Sequence, residues 1–167
     1  VIFTRTSVRA YTAQPVEPEK LELLLRAGMA APSACNQQPW EFYVTAEKTR
    51  LEALSGCSPY TGFVKNAAAA IVPCYRKSGL IAPDYAEIDL SAACENILLE
   101  AESLGLGAVW CGIAPGRERM EAMRAALGIA DSLEPFAILS VGYPLKPAKQ
   151  QDRFDPARSE EHTSELQ

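Results

Sequence analysis

Ala31-Pro32-Ser33-Ala34-Cys35-Asn36-Gln37-Gln38-Pro39-Trp40 separates a helical pattern from a strand pattern and fits neither. Pro32 and Pro39 bracket it; each removes an amide donor and holds the chain extended on either side. Between them Ser33, Asn36, Gln37 and Gln38 offer hydroxyl and carboxamide groups that donate and accept without carrying charge. Such a segment suits a neutral, planar, hydrogen-bonding ligand better than a metal or a bare phosphate. Read by itself, it is equally an ordinary connector between a helix and a strand.

Working outward, the upstream side is helical. Pro18 suits a first helical position, Glu19 favours the positive end of the dipole, and Leu21, Leu24 and Leu25 recur at helical spacing, with Gly28 and Pro32 as the expected stop. Downstream, Glu41–Ala46 alternates as a strand, and Glu47–Leu54 reads as a short helix closed by Gly56. Cys57–Asn66 reads as a loop whose Tyr60 and Phe63 either line a pocket or pack inward. Ala67–Cys74 is a small apolar run expected as a buried strand, with Pro73 pushing its end to an edge or a bulge. Arg76–Asp84 is a second loop.

The longest regular pattern follows. Leu90, Ala93, Cys94, Ile97, Leu98, Ala101 and Leu104 keep the i, i+3, i+4, i+7 rule, with Gly105 placed to cap the end. Ala92 and Leu99 widen the apolar arc, so this helix is expected to be buried on more than one side, centrally or between subunits. Leu106–Ile113 reads as a strand in which Gly107 and Gly112 admit a close neighbour. Pro115 opens another helix, with Met120, Met123, Ala126 and Leu127 inward and Gly128 as its stop. Phe136–Val141, continuous in apolar character, is expected as a central strand. Gly142-Tyr143-Pro144 then turns into a tail, Leu145–Asp155, that holds Lys146, Lys149 and Arg153.

Composition bounds what such a chain does. With 167 residues, 48% of them hydrophobic, it can bury a sizeable core. A net charge of −5 argues against a nucleic-acid surface. No apolar run approaches the roughly 20 residues that span a bilayer, and no signal peptide opens the chain. The five cysteines (Cys35, Cys57, Cys74, Cys94 and Cys111) are odd in number, dispersed and free of any Cys-x-x-Cys. They read as reduced thiols of a cytoplasmic protein rather than a zinc site.

Both termini read as cut. The chain opens at Val1 without methionine, and Arg158–Gln167 resembles the translation of a sequencing-adapter oligonucleotide. The expected organisation is therefore a single domain over 1–157 and a non-native tail over 158–167. Setting the tail aside removes His162, the only histidine, and any histidine-based mechanism with it.

Arg5-Thr6-Ser7-Val8-Arg9 packs two guanidiniums and two hydroxyls into five residues, either a solvated basic turn or a phosphate grip if the arginines converge. Gly105-x-Gly107 is not a dinucleotide fingerprint. Trp110 stands where the third glycine belongs, and the glycines end a helix instead of opening one.

Arg5-x-Ser7-x-Arg9 and the central stretch Ala31–Trp40 resemble the two N-terminal signatures of the nitroreductase family. Gly105-Leu106-Gly107-Ala108-Val109-Trp110, after the long helix, is similar to its third signature and Val141-Gly142-Tyr143-Pro144 to its last. The resemblance runs from about Arg5 to Asp155. It implies an α+β fold with helices around a mainly antiparallel central sheet, FMN as cofactor, and a homodimer with two active sites at its interface. By the same resemblance Arg5, Thr6, Ser7 and Arg9 grip the phosphate and ribityl end of FMN, although the family more often has Arg or His where Thr6 stands. Pro32, Ser33 and Asn36 match positions that reach the flavin from the other subunit. Trp110, Cys111 and Gly112 match the strand whose backbone faces the isoalloxazine ring. Lys149 matches the C-terminal cation near the phosphate, with Arg153 as the alternative.

The implied activity is ping-pong hydride transfer from NAD(P)H to nitroaromatics, quinones or activated alkenes. It needs no protein nucleophile, because the cofactor carries the reactive atom. No Ser-His-Asp set, Cys-His set or metal cluster competes with that reading in the body of the chain. Reductive dehalogenation, flavin-consuming chemistry and non-catalytic flavin binding are the alternatives on the same fold. Residue by residue, Cys111 is a redox thiol or a packed strand residue, Trp110 a substrate platform or core, and Asn36 a flavin ligand or a satisfied loop amide.

Overall fold

Strands that lie between two layers of helix lose the apolar/polar alternation of a half-exposed sheet, and the runs 67–74 and 136–141 behave this way. The computed structural model describes residues 1–147, 149–150 and 152–158. The tail, apart from Arg158, lies outside the described residues, and His162 with it. Along the chain come α1 (Pro18–Met29), β1 (Trp40–Thr45), α2 (Lys48–Ser55), β2 (Ala69–Arg76), α3 (Ala86–Ser103), β3 (Gly107–Gly112), α4 (Arg117–Leu127), β4 (Leu133–Pro135) and β5 (Ala137–Gly142). The strands form one sheet in the order β1-β2-β5-β3, with every strand pair antiparallel and β4 pairing with β2 just beyond β5. The expected α+β architecture is what the chain adopts.

The two faces of the sheet are both covered. Ile71, Leu139, Val141, Ala137 and Ala108 point into one core with Leu24 of α1 and Leu90, Ile97 and Leu98 of α3. Ala70, Val72, Ile138, Val109 and Cys111 point into the other, with Leu51 and Leu54 of α2 and Met120 and Met123 of α4. The long helix is the centre of the first core, since Leu90, Ala93, Cys94 and Ile97 are wholly buried. Burying Leu90, Ile97 and Leu98 stabilises the fold by roughly 1.5–3 kcal/mol each.

Helix ends follow local chemistry. Gly128 takes φ +66° after α4, and Gly105 takes φ +72° one residue past the α3 cap, where Leu106 donates its N–H back to the Ala101 carbonyl at 2.8 Å. Gly28 is a correction. It lies inside α1 rather than ending it, and a Cβ there would come within 2.9 Å of Ile97 Cδ1. The glycine lets α1 settle closely on α3.

Pro73 takes the second of its two expected places, a bulge and not an edge. β2 is flanked by β1 on one side and by β5 and β4 on the other, and the pairing slips by one residue between Cys74↔Pro135 and Ile71↔Leu139. Its carbonyl accepts the Phe136 N–H at 3.0 Å, in the interruption between β4 and β5. A strand residue points its N–H and C=O to the same side, so the donor that proline lacks falls in that interruption. The short strand β4 carries no sequence signal of its own.

Candidate functional site

The N-terminal segment is held on the sheet by backbone bonds. Ser7 makes a parallel bridge with Ala108 of β3, Val8 donates its N–H to the Ala108 carbonyl at 3.0 Å, and Tyr11 bridges to Pro144. Two glycines in register with each other, Gly107 and Gly142, make this approach possible. A Cβ at Gly107 would fall 2.7 Å from Val8 Cβ, and one at Gly142 would fall 2.9 Å from the Tyr11 ring. The Tyr11 hydroxyl hydrogen-bonds with Ser140 Oγ at 2.8 Å and reaches the Val8 carbonyl at 2.7 Å. Burial pushes that hydroxyl well above the ordinary tyrosine range, so it stays protonated as a fixed peg. The last sequence signature is thus spent on seating the first: Gly142 lies under Tyr11, and the Tyr143 hydroxyl donates to Glu17 and accepts from Lys20.

This seating brings Arg5, Thr6, Ser7 and Arg9 to the wall of a cleft of about 310 Å³, with Lys149, Gln150 and Arg153 opposite. Both candidate C-terminal cations, Lys149 and Arg153, line it. Gln150 ties the tail to the N-terminus through Nε2, which donates to the Ile2 carbonyl at 3.0 Å and the Arg5 carbonyl at 3.2 Å. Four cations therefore border a cleft whose lining holds no carboxylate. One of them is shared: Arg5 Nε stands 3.3 Å from Glu95 on α3. Among the described residues no ion pair engages Arg9 or Lys149.

Arg9 also borders a second cleft, of about 500 Å³, which runs along Val109, Trp110, Cys111 and Gly112 of β3 and under Tyr60 and Phe63. Gly112 opens into this space, since a Cβ there would meet nothing within 4 Å. Trp110 also packs edge-on against Phe136, with ring centroids 5.5 Å apart. Cys111 is buried, and burial pushes its thiol up to about 11, with Arg9 opposing. It remains a neutral thiol at physiological pH, as a packed strand residue does. Arg119 reaches the same cleft from α4, a residue the sequence patterns do not single out.

Pro32, Ser33 and Asn36 line neither cleft within one chain. Their loop is a strained turn in which Cys35, Asn36 and Gln38 all take positive φ, at 51°, 51° and 44°. A buried carboxylate holds it. Asp89 of α3 accepts the Ala34 N–H at 2.8 Å and Gln37 Nε2 at 2.8 Å. Gln37 is pinned again on Ala82, donating to its carbonyl and accepting its N–H. Ser33 Oγ accepts the Gln38 N–H, and Asn36 Oδ1 accepts from Gln38 Nε2. The outward groups of Asn36 and Cys35 stay exposed. Asp89 belongs to none of the sequence signatures.

The site suits a ligand with an anionic end and a flat end. Arg9, at the junction, joins the polar basic cleft to the aromatic one. No group of His, Cys, Asp or Glu side chains among the described residues is arranged to hold a metal ion. Nor is any described helix long and apolar enough to cross a membrane.

Known proteins resemble this chain over nearly its whole length. A protein of Archaeoglobus fulgidus named "Putative NADH dehydrogenase/NAD(P)H nitroreductase" is 42% identical over 163 residues, covering 95% of this chain and 93% of its own length. A solved structure from Clostridium acetobutylicum, named an NADH oxidase with the same qualifier, is 44% identical. It superposes with a TM-score of 0.92 over 95% of this chain and 96% of its own. The FMN-dependent nitroreductase of Clostridium difficile is 30% identical, with a TM-score of 0.89 over 97% of this chain and 99% of its own. The model of the nitroreductase family matches residues 2–60 and 50–143, nearly the whole of the described body, and the chain belongs to that family.

Proposed function

We propose that this chain, an NAD(P)H-linked FMN oxidoreductase by family, reduces electron-poor acceptors such as nitroaromatics, quinones or activated alkenes. FMN, when bound, would supply the two-electron chemistry that links NAD(P)H to the acceptor in ping-pong order. The chain's own residues bind, orient and exclude water. Arg9 carries the reading, because this one residue lines both the basic cleft and the aromatic cleft.

In this reading Arg5, Arg9 and Lys149 neutralise the phosphate, with Arg153 beside them, and Thr6 and Ser7 add neutral donors. Backbone amides along Trp110, Cys111 and Gly112, which line the aromatic cleft, would hold the ring and favour its more electron-rich form. Pro32, Ser33 and Asn36 belong to the site of a twin chain, so the active unit is a homodimer with two sites. The exposure of Pro32 and Asn36 on a turn held by Asp89 supports this, as do Ile81, Tyr85 and Ile88, all more than half exposed on or beside the start of α3. The domain occupies 1–157, and its free thiols suit a reducing, cytoplasmic setting.

The test is a visible spectrum of purified protein reconstituted with FMN, before and after anaerobic NADH or NADPH. Bleaching on donor addition and recovery on adding a nitroaromatic or quinone are expected. Flavin that binds and is never bleached would leave a flavin-binding protein without this activity. Sedimentation of the loaded protein as a monomer would remove the dimer.

A further inference from the structure

Two arginines on α4 have opposite surroundings. Arg124 is fully engaged: its guanidinium donates to the Ala130 carbonyl at 2.7 Å and the Leu133 carbonyl at 2.8 Å, and pairs with Glu134 at 3.4 Å. It is a structural clamp between α4 and β4. Arg119 lies five residues earlier and only half exposed, with no ion pair among the described residues. Its guanidinium carbon sits 5.6 Å from the centre of the Tyr60 ring. Both residues line the aromatic cleft, together with Trp110 and Phe63. Neighbouring Arg117 is already paired with Glu134, at 3.5 Å.

We propose that Arg119, steadied on Tyr60, selects acceptors that carry an anionic group beside a planar electron-poor ring, such as an aromatic carboxylate. The proposal rests on the flavin reading above and gives the acceptor's chemical class. The physical argument is one of unmet pairing. The lining of the cleft offers aromatic faces for a ring and two guanidiniums for charge, with no carboxylate to satisfy either. Arg9 stands at the junction with the basic cleft, where the cofactor's phosphate is assigned. Arg119 is left, with a planar donor fork that matches a carboxylate. A guanidinium resting on an aromatic face keeps its N–H edges free for an incoming ligand.

The experiment compares 4-nitrobenzoate with its neutral analogue 4-nitrobenzamide, on the FMN-loaded protein and on Arg119→Gln and Arg119→Lys. The native protein should prefer the benzoate in kcat/KM. Arg119→Gln should reduce the benzoate-to-benzamide ratio about ten- to a hundredfold, the range of one charge-assisted hydrogen bond. Arg119→Lys should restore part of it. Calorimetric titration of unreduced protein with benzoate and benzamide gives a second readout, in which the benzoate Kd should weaken about tenfold in Arg119→Gln and the benzamide Kd less than about twofold.

An unchanged ratio would overturn the proposal. Equal weakening of both ligands would overturn it too, since Arg119 would then only support the cleft wall through Tyr60. A loss confined to the KM for NAD(P)H would assign the cation to the donor's phosphates instead. Failure of the underlying reading shows separately, in a spectrum that NAD(P)H does not bleach, while the titration still reports any anion preference.

Discussion

Two polar segments carry candidate site residues, and they are held by opposite means. Residues 5–9 are fixed by backbone pairing to β3 over a floor of glycine, with no demand on the identity of most side chains. Residues 33–38 make no strand pairing and are fixed by one buried carboxylate and one buried carboxamide, Asp89 and Gln37. The first anchor depends on a missing Cβ, and the second on two particular side chains. A segment fixed by its backbone leaves its side chains free for a ligand. A segment fixed by side chains offers only those its anchors do not use.

The most damaging way to break the comparison is at the glycine floor. Gly107→Val should destabilise the fold by about 3 kcal/mol, because its Cβ would lie 2.7 Å from Val8. It should also cost the protein its FMN, while Gly112→Ala, whose Cβ meets nothing in the flavin-free chain, keeps the melting temperature measured without FMN. Thermal melts with and without FMN read both.

Asp89→Asn comes next, at about 1–3 kcal/mol. Gln37 cannot turn its amide over without losing both bonds to Ala82, so the amide introduced by the substitution would set donor against donor. Hydrogen exchange should speed up at 34–38 and stay unchanged at 8–12. Acceleration in both segments would show that they are not independently held.

Arg9→Ala should weaken FMN binding roughly tenfold or more, as the loss of a charge-assisted contact requires, with little change in unfolding. Arg5→Ala should cost less, because its guanidinium is already shared with Glu95. Flavin titration of the two variants ranks them, and a larger effect at Arg5 would reverse the assignment.

The smallest effect is chemical. At pH 8 one thiol per chain, Cys35 on the exposed turn, should react quickly with iodoacetamide, while buried Cys111 stays protected. Cys111 has its proton held more tightly in the folded state, to about 11 against an ordinary 9.0. Its contribution to stability is therefore complete below about pH 9 and lost as pH rises toward 11, because the unfolded chain releases the proton first. Melts across that window should show the decline.

The helices and the apolar strands are legible because their patterns are local: Leu90 to Leu104 state one face of α3, and Phe136–Val141 has no polar alternation to place it on the outside. What sequence could not supply is pairing between distant residues. Pro73 reads as an edge or a bulge, and only strands far along the chain decide between them: its missing donor falls in the interruption between β4 and β5. Gly28 reads as a stop, yet it serves Ile97 on another helix. Arg5, Ser7, Arg9 and the 31–40 stretch are found through their signatures, whereas Asp89 and Arg119 belong to no short motif and acquire meaning only from Ala34, Gln37 and Tyr60 across the fold. Thr6 lines the basic cleft as expected, but a neutral hydroxyl there leaves the charge to its neighbours.

The bridge from Ser7 to Ala108 has a consequence for how molecules of this protein behave in company. β3 is the last strand in the sheet order, and the N-terminal segment is laid along its outer side. Shortening the chain past Val8 would free the backbone of Ala108 and lengthen the open edge of an otherwise apolar strand, a template for strand addition between molecules. Truncated protein should therefore precipitate with rising concentration, which makes the opening segment a shield against aggregation.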